Sequence, residues 1–513
     1  MEVRDRRAGL WPVLLALLPL LPSWWFALAK PWVPISVDDD SAVIEMAERR
    51  ALHGAQLTGI YSRFGFSHPG PVQLYLMAPV YAATGQRSAG LSLAALLLTT
   101  LFTGGAAWSG TKILGPRHGL VVAAGLALLL ARMGPGWVAH AWGPHAVVVP
   151  LALLVVLALG LARQGAEWLP GVAFVATFLV QTHLGTAPAA ACVVLAAFVL
   201  AGRLGRRLVA LRPVLLSAVL LAALWAPPLL EQARGTAEHP GNLTLIWQFF
   251  GSHGARHTFV EVFGPLAHDL GSIPIALAAA IVPSTTDHRD VGAGLFTLLL
   301  VALLPLALAA ARRRRDDDAA ALSWLALAAG AAALFSALRI VGEVLDYLLA
   351  FASAVSFAGW TALALVATRP LQERGRGRAV GIGCAVVAVL CAISNARGLV
   401  QQQPIPIATK ESVATLTAAL KSHLAAERIK KPLVRLSDGE PWVPAAGALL
   451  EVERAGIDYA VEEDWTVMFG RNRRATGAED GTVWFVETAP APGLRPLAEA
   501  GKTKLYAAPR TAR

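Results

Sequence analysis

Three consecutive carboxylates, Asp38, Asp39 and Asp40, open a polar stretch from Val37 to Pro71 in a chain otherwise dominated by apolar runs. Adjacent carboxylates repel one another and attract a proton or a cation. In a partly dry cavity, one of them can take the proton of an attacking hydroxyl, and its neighbour can hold a divalent ion that neutralises a leaving phosphate. The stretch ends in a second cluster: Tyr61, Arg63, Phe64, Phe66, His68 and Pro69. Arg63 and His68 are suited to a phosphate, and the aromatic rings to a sugar face or an isoprenoid chain. Plainer readings compete. Asp40 could cap a helix through Ser41–Glu48, which accounts for one Asp and not three. The aromatics could form an interface belt with a snorkelling Arg63.

Other candidates lie far along the chain. Arg339, in the segment ALRIVGEVLDY, stands at the outer end of an expected span, where a lone Arg is uncommon and suits a lipid phosphate. Its alternative role is a pair with Glu343 four residues later on one helix face, and Tyr347, two turns on from Arg339, would share that face. His145 (in WVAHAWGPH) and His183 (in QTHLGTAP) sit in turns between apolar runs. Glu231 and His239 are further candidates for a cavity wall. Asn242-Leu243-Thr244 matches a glycosylation pattern and reads as a helix start. Cys192, Cys384 and Cys391 all fall inside apolar runs, so neither a disulfide nor a thiolate metal site is expected. The sequence has no phosphate-binding glycine loop, no HExxH and no CxxC, which leaves nucleotide-sugar binding and ATP hydrolysis without support.

Apolar elements must position these groups. Of the 513 residues, 56% are hydrophobic and 15% charged, the composition of a multi-pass membrane protein. The net charge of +10 resides in short basic clusters between apolar runs, as the positive-inside rule requires, so no nucleic-acid partner is expected. The N-terminus resembles a signal peptide, with Arg4, Arg6 and Arg7 before an apolar run and Ala27-Leu28-Ala29 after it, and reads as a retained first span. Spans are expected at about 10–29, 88–109, 118–133, 145–162, 169–183, 185–202, 213–230, 291–311, 319–338, 344–367 and 378–396, about eleven in all. The piece 169–183 is the weakest of them. The apolar piece 272–283 is too short and is expected at the outer interface. Basic loops at Arg203–Arg212, Arg312–Arg315 and Arg369–Arg378 belong in the cytoplasm. The sides then agree only if Pro71–Thr84 does not cross and lies at the outer interface. This places the N-terminus in the cytoplasm and the C-terminus outside.

Two domains follow: a membrane domain over 1–400, whose first outer loop (30–87) carries juxtamembrane helices, and a small α/β extracytoplasmic domain over 401–513. In the latter, Ser412–Arg428 and Trp442–Arg454 read as helices, and Pro432–Leu436 and Thr482–Glu487 as strands. The small domain reads as a scaffold or a partner-binding module.

The arrangement resembles the GT-C superfamily of membrane glycosyltransferases, especially the branch of the lipid A aminoarabinose transferases and protein O-mannosyltransferases. There, one span is followed by an outer loop that opens with an Asp-Glu pair and a helix, and a Lys-Pro dipeptide later begins a juxtamembrane helix. Here Asp39-Asp40 stand at the first motif, Ala47 fits the helix, and His68-Pro69 stand in place of Lys-Pro. Gly143-Pro144 occupies the place where relatives carry an acidic residue before a proline.

The resemblance implies an all-α, GT-C-like fold in a bacterial inner membrane, with the C-terminal domain periplasmic or extracellular. It implies transfer of a sugar from a polyprenyl-phosphate donor to a glycan, lipid or protein acceptor at the outer face. Asp39 is carried over as the base and Asp40 second. Asp38, Tyr61, Arg63, His68, His145, His183, Arg339 and Tyr347 make up the substrate-binding set. A divalent metal on Asp40 and His68 is the one cofactor expected. The alternative function is a transporter or flippase of a lipid-linked saccharide, although paired halves and mid-span polar residues are not evident.

Overall fold

A computed structural model describes residues 9–29, 36–254, 257–282, 289–401, 410–488 and 493–508. The basic residues Arg4, Arg6 and Arg7 lie outside the described residues. The chain divides into two compact units. The first comprises 1–30, 95–229 and 250–404; the second comprises 31–94, 230–249 and 405–513.

The first unit is a multi-pass membrane body. Among the described residues, nine helical stretches are long and apolar enough to cross a membrane, or ten if one bent pair is included. One stretch, Ala352–Gly398, is 47 residues long. A continuous helix of that length would measure about 70 Å, more than twice a bilayer core of about 30 Å. It consists of two helices, Ala352–Leu371 and Gly377–Gly398, joined by a π-helical segment, Gln372–Arg376, that carries two arginines. These are the last two expected spans, and the first of them begins later than position 344. Its head is instead a 3-10 turn, Asp346–Leu349. The expected span at 169–183 is a helix of 14 residues, Leu169–Thr182. The piece at 272–283 is a helix of 10 residues, too short to cross by itself, as expected. Ser272–Ile281 follows Phe259–Leu270 at a bend of 47°, and only the two together match the length and hydropathy of a crossing.

The second unit is built on a five-stranded sheet: β1 (Pro432–Leu436), β2 (Ala460–Val461), β3 (Gly481–Val486), β4 (Arg495–Ala500) and β5 (Thr503–Ala507). The strand order is β2-β1-β3-β5-β4. The pairs β1–β2 and β1–β3 are parallel, and β3–β5 and β4–β5 antiparallel. Alternation buries Val434 and Leu436 of β1 and Val483 and Phe485 of β3. Helices Glu411–Ala426 and Trp442–Arg454 supply Leu416, Leu420, Leu424, Leu449 and Leu450 to the same core.

A third helix enters this core from the far end of the sequence. Asp39–Leu52 contributes Ala42, Val43 and Met46, with Val37 ahead of it. The spacing 42, 43, 46 is one helical stripe, and it packs on the Trp442–Arg454 helix. Gly447 permits that packing: a Cβ there would lie 2.4 Å from the Val37 carbonyl oxygen. The loop after the first span and the C-terminal segment therefore share one hydrophobic core. The second helix of the loop, Val72–Ala83, has 12 residues, about 18 Å and too short to cross.

Candidate active site

The three carboxylates have three different environments. Asp38 is the extended residue ahead of the helix, and one oxygen lies 3.7 Å from Lys410 Nζ. Asp39 is the first helical residue and has a left-handed backbone, φ 50°, which Asp tolerates better than most residues. Its Oδ1 accepts the Ser41 N–H at 2.8 Å, closing a local turn, and the residue is exposed. Asp40 is half-buried, and its Oδ1 accepts the Tyr61 hydroxyl at 2.5 Å. Burial pushes the Asp40 carboxyl above the usual range; the Tyr61 hydrogen bond works against that shift, and the charge of Asp39 adds to it. The helix start thus lies one to two residues before the cap suggested by the sequence, which frees Asp40 for its tertiary partner.

Tyr61 is held by a small hairpin. Gly59 N–H donates to the His68 carbonyl and His68 N–H to the Ile60 carbonyl, while Ser62 N–H donates to the Phe66 carbonyl. Tyr61 and Ser67 face each other in a single antiparallel bridge. The Tyr61 ring stands edge-on to Trp442 at 6.5 Å. Asn242 pins the hairpin's other edge: its amide accepts the Ser67 N–H and donates to the Ser67 carbonyl, both at 2.8 Å. Asn242 is itself the first residue of the Asn242–Ser252 helix and is buried, which fits the helix-start reading of its motif. Its N–H donates to Glu231, and the other Glu231 oxygen accepts from Arg471 at 2.6 Å. Phe64, Phe66 and Phe249 form a ring cluster with centroids 4.9–6.2 Å apart, and exposed Arg63 lies over Phe64. These aromatics therefore pack on one another. His68 is half-exposed, with both backbone groups tied into the hairpin.

The Asp39–Leu52 helix is fastened by charge as well as by its apolar stripe. Fully buried Glu45 accepts from Tyr81 at 2.7 Å and Ser88 at 2.6 Å, and pairs with Arg454. Arg49 pairs with Glu453 at 3.2 Å, and Glu453 also takes Arg473 at 2.7 Å. Arg50 donates to Gln56 Oε1 and to the Phe469 carbonyl. Glu48 is different: it is 0% exposed, and neither oxygen has a hydrogen-bond partner among the described residues. Burial, with the nearby charge of Glu45, pushes its carboxyl up to about 9.

Among the described residues no three His, Cys, Asp or Glu side chains converge to hold a metal ion. Asp40 and His68 are not joined there by a third such side chain.

The remaining candidates belong to the membrane body. His145 stacks on Trp137 at 4.0 Å and stands perpendicular to Trp142 at 5.0 Å. Trp142 in turn packs on Tyr347 at 4.7 Å. Tyr347 and His145 are therefore joined through Trp142. His183 begins the next turn, which abuts the His145 turn where Gly143 packs on the Thr182 carbonyl. Arg339 departs from expectation. The helix Asp317–Leu338 stops just before it, so Arg339, Glu343 and Tyr347 do not share a helix face. Arg339 is half-exposed, and its side chain makes no ion pair among the described residues. Sequence reasoning missed Trp137, Trp142, Gln56, Arg471 and Trp442. Only the Trp-rich turn at 137–145 and the Arg-Asn-Arg-Arg run at 471–474 offered a signal.

A body of apolar helices, a carboxylate loop after the first span, a helix too short to cross and a small C-terminal α/β fold make up an architecture with solved counterparts. Two crystal structures of ArnT from Cupriavidus metallidurans share it. The apo form gives a TM-score of 0.54 at 14% identity over 97% of each chain. The form bound to undecaprenyl phosphate gives 0.54 at 16% identity over 96% of this chain and 97% of that one. No family model and no curated protein matches the sequence, so the likeness is one of fold.

Proposed function

We propose that this protein is a glycosyltransferase that moves a sugar from a polyprenyl-phosphate donor to an acceptor hydroxyl at the outer face of a bacterial inner membrane, with Asp40 as the general base. The observation that carries this reading is the Asp40–Tyr61 pair at the head of the first outer helix, in a chain whose whole fold resembles that of an undecaprenyl-phosphate-binding transferase.

Asp40 takes the proton of the acceptor hydroxyl. The acceptor oxygen then bonds to the anomeric carbon, the bond from that carbon to the phosphate oxygen breaks, and its electron pair leaves with the polyprenyl phosphate. Tyr61 occupies Oδ1 and leaves Oδ2 for the acceptor. Half-burial strengthens Asp40 as a base relative to an exposed carboxylate. Asp39, exposed and committed to its own turn, is the weaker candidate. Among the described residues Arg339 has no ion-pair partner to displace, which suits it to a phosphate-binding role toward the donor. His145, His183 and Tyr347 line the histidine and aromatic turns of the same unit and are proposed to contact the donor. No step is assigned to a metal.

The test compares Asp40→Asn with Asp39→Asn in membranes supplied with lipid-linked sugar. Asp40→Asn should lose about 100-fold or more of the transfer rate, the scale of a general base, and Asp39→Asn clearly less. The reverse order would return the base to Asp39. Unchanged transfer in both variants would remove the carboxylates from the chemistry.

A further inference from the structure

Within the second unit a cavity of about 140 Å³ lies between the Asp39–Leu52 helix and the short helical segment 466–472. Its floor is one face of that helix: Val43, Ala47 and Arg50 line it, and they fall at spacings 3, 7 and 10 from Asp40. Tyr61, the partner of Asp40, lines it too. Asp40 and Arg50 are thus at the two ends of one helical face, about 15 Å apart along the axis.

The far end of this face is cationic. Arg50 is half-buried and makes no ion pair among the described residues; its bonds go to a neutral amide and a carbonyl. The carboxylate that acts on it through space, Glu453, is already paired with Arg49 and Arg473. Arg471 also lines the cavity, and one of its nitrogens is committed to Glu231 and the Pro240 carbonyl. Gly470, φ 110°, keeps the space open. A Cβ there would lie 2.7 Å from Asn472 Oδ1 and 3.2 Å from Arg50 Cζ. Glu231, paired with Arg471, also lines the cavity, which leaves Arg50 as the half-buried guanidinium there with no ion pair of its own among the described residues, a place that suits an anion from outside.

We propose that this cavity is an acceptor subsite that takes an acidic sugar, whose carboxylate or phosphate meets the free N–H groups of Arg50 and Arg471. The proposal rests on the transferase reading and narrows it. The acceptor is a glycan whose anionic residue and accepting hydroxyl, the latter at Asp40, reach the two ends of a helical face about 15 Å long. Asn472 provides an amide group of the kind that recognises ring hydroxyls, and the Tyr61 ring provides an apolar face.

The test is binding, measured on the full-length protein in nanodiscs with glucose, glucuronate and glucose 6-phosphate as probes. It uses the Asp40→Asn background, so it does not depend on turnover. Tighter binding of either anionic sugar over glucose, by about tenfold, is expected, and the arm that binds identifies carboxylate or phosphate as the recognised group. Arg50→Met should abolish the difference, and Arg50→Lys should retain part of it. If Arg50→Met lowers the unfolding temperature, the Lys variant and Asn472→Ala carry the comparison. Equal affinity for all three sugars, or an undiminished preference in the Arg50 variants, would overturn the proposal. Failure of transfer by the wild type with preserved anion preference would overturn the transferase reading and the acceptor role, leaving only an anion-binding cavity.

Discussion

Replacing Glu48 by Gln tests whether the Asp39–Leu52 helix is truly an interior element of the second unit. Glu48 is fully buried, and neither oxygen is hydrogen-bonded among the described residues. Its carboxyl is pushed from 4.5 to about 9, chiefly by burial. The folded protein therefore keeps a proton that the unfolded chain loses above about pH 4.5. Stability from this group is fully present below that pH and falls as pH rises, by about 1.4 kcal/mol per unit, until the folded form also ionises near pH 9. The loss is about 3 kcal/mol by pH 7 and about 6 kcal/mol by pH 9. Gln has the same shape and no charge at any pH. The unfolding temperature of the detergent-solubilised protein, followed from pH 5 to 9, should fall with pH in the wild type and fall much less in Glu48→Gln. The curves should meet near pH 5 and diverge upward. His423, whose burial lowers its pKa, contributes with the opposite sign near neutral pH, but equally in both proteins, so it cancels in the difference. Parallel curves would refute the reasoning, because they would mean that Glu48 reaches water or a cation.

Two further substitutions probe how the acidic residues are placed. Gly447→Ala would drive a methyl group against the Val37 carbonyl and displace the segment leading into Asp38–Asp40. Transfer should drop by roughly tenfold or more while the sheet's circular dichroism is retained, as expected when a reacting group moves by about 1 Å; normal transfer would show that the loop is placed by other contacts. Tyr61→Phe removes the hydrogen bond that holds the Asp40 carboxyl down, so the acid limb of the pH–rate profile should move to higher pH; an unmoved limb would separate Asp40 from the titrating group.

The layout of the membrane body was legible because span length and charge bias are read from short windows of sequence. Val72–Ala83 was recognisable as non-crossing from the same bookkeeping, and the strand Pro432–Leu436 and helix Trp442–Arg454 from their periodicity. Strands β4 and β5 were not legible: Arg-Pro-Leu-Ala-Glu-Ala lacks β-branched residues and is a strand only because β5 pairs with it. The active-site details were hidden for a different reason. The preference for Asp40 over Asp39 depends on Tyr61, 21 residues on, and on Trp442 behind that ring. No local pattern reports such contacts. Arg339 and Tyr347 were placed on one helix because periodicity was extended past Leu338, where the chain in fact leaves the helix. The role of the C-terminal segment as the support for the Asp39–Leu52 helix was equally out of reach, since Met46 and Tyr459 meet across 413 residues.

The central claim is chemical transfer from a lipid-linked donor, and its most direct measure is the leaving group. The purified protein, reconstituted with a polyprenyl-phosphate-linked sugar and acceptor-bearing envelope extract, should release one free polyprenyl phosphate for each sugar transferred, and Asp40→Asn should release almost none. Movement of the intact lipid-linked sugar across the bilayer without release, or equal release by Asp40→Asn, would contradict the account.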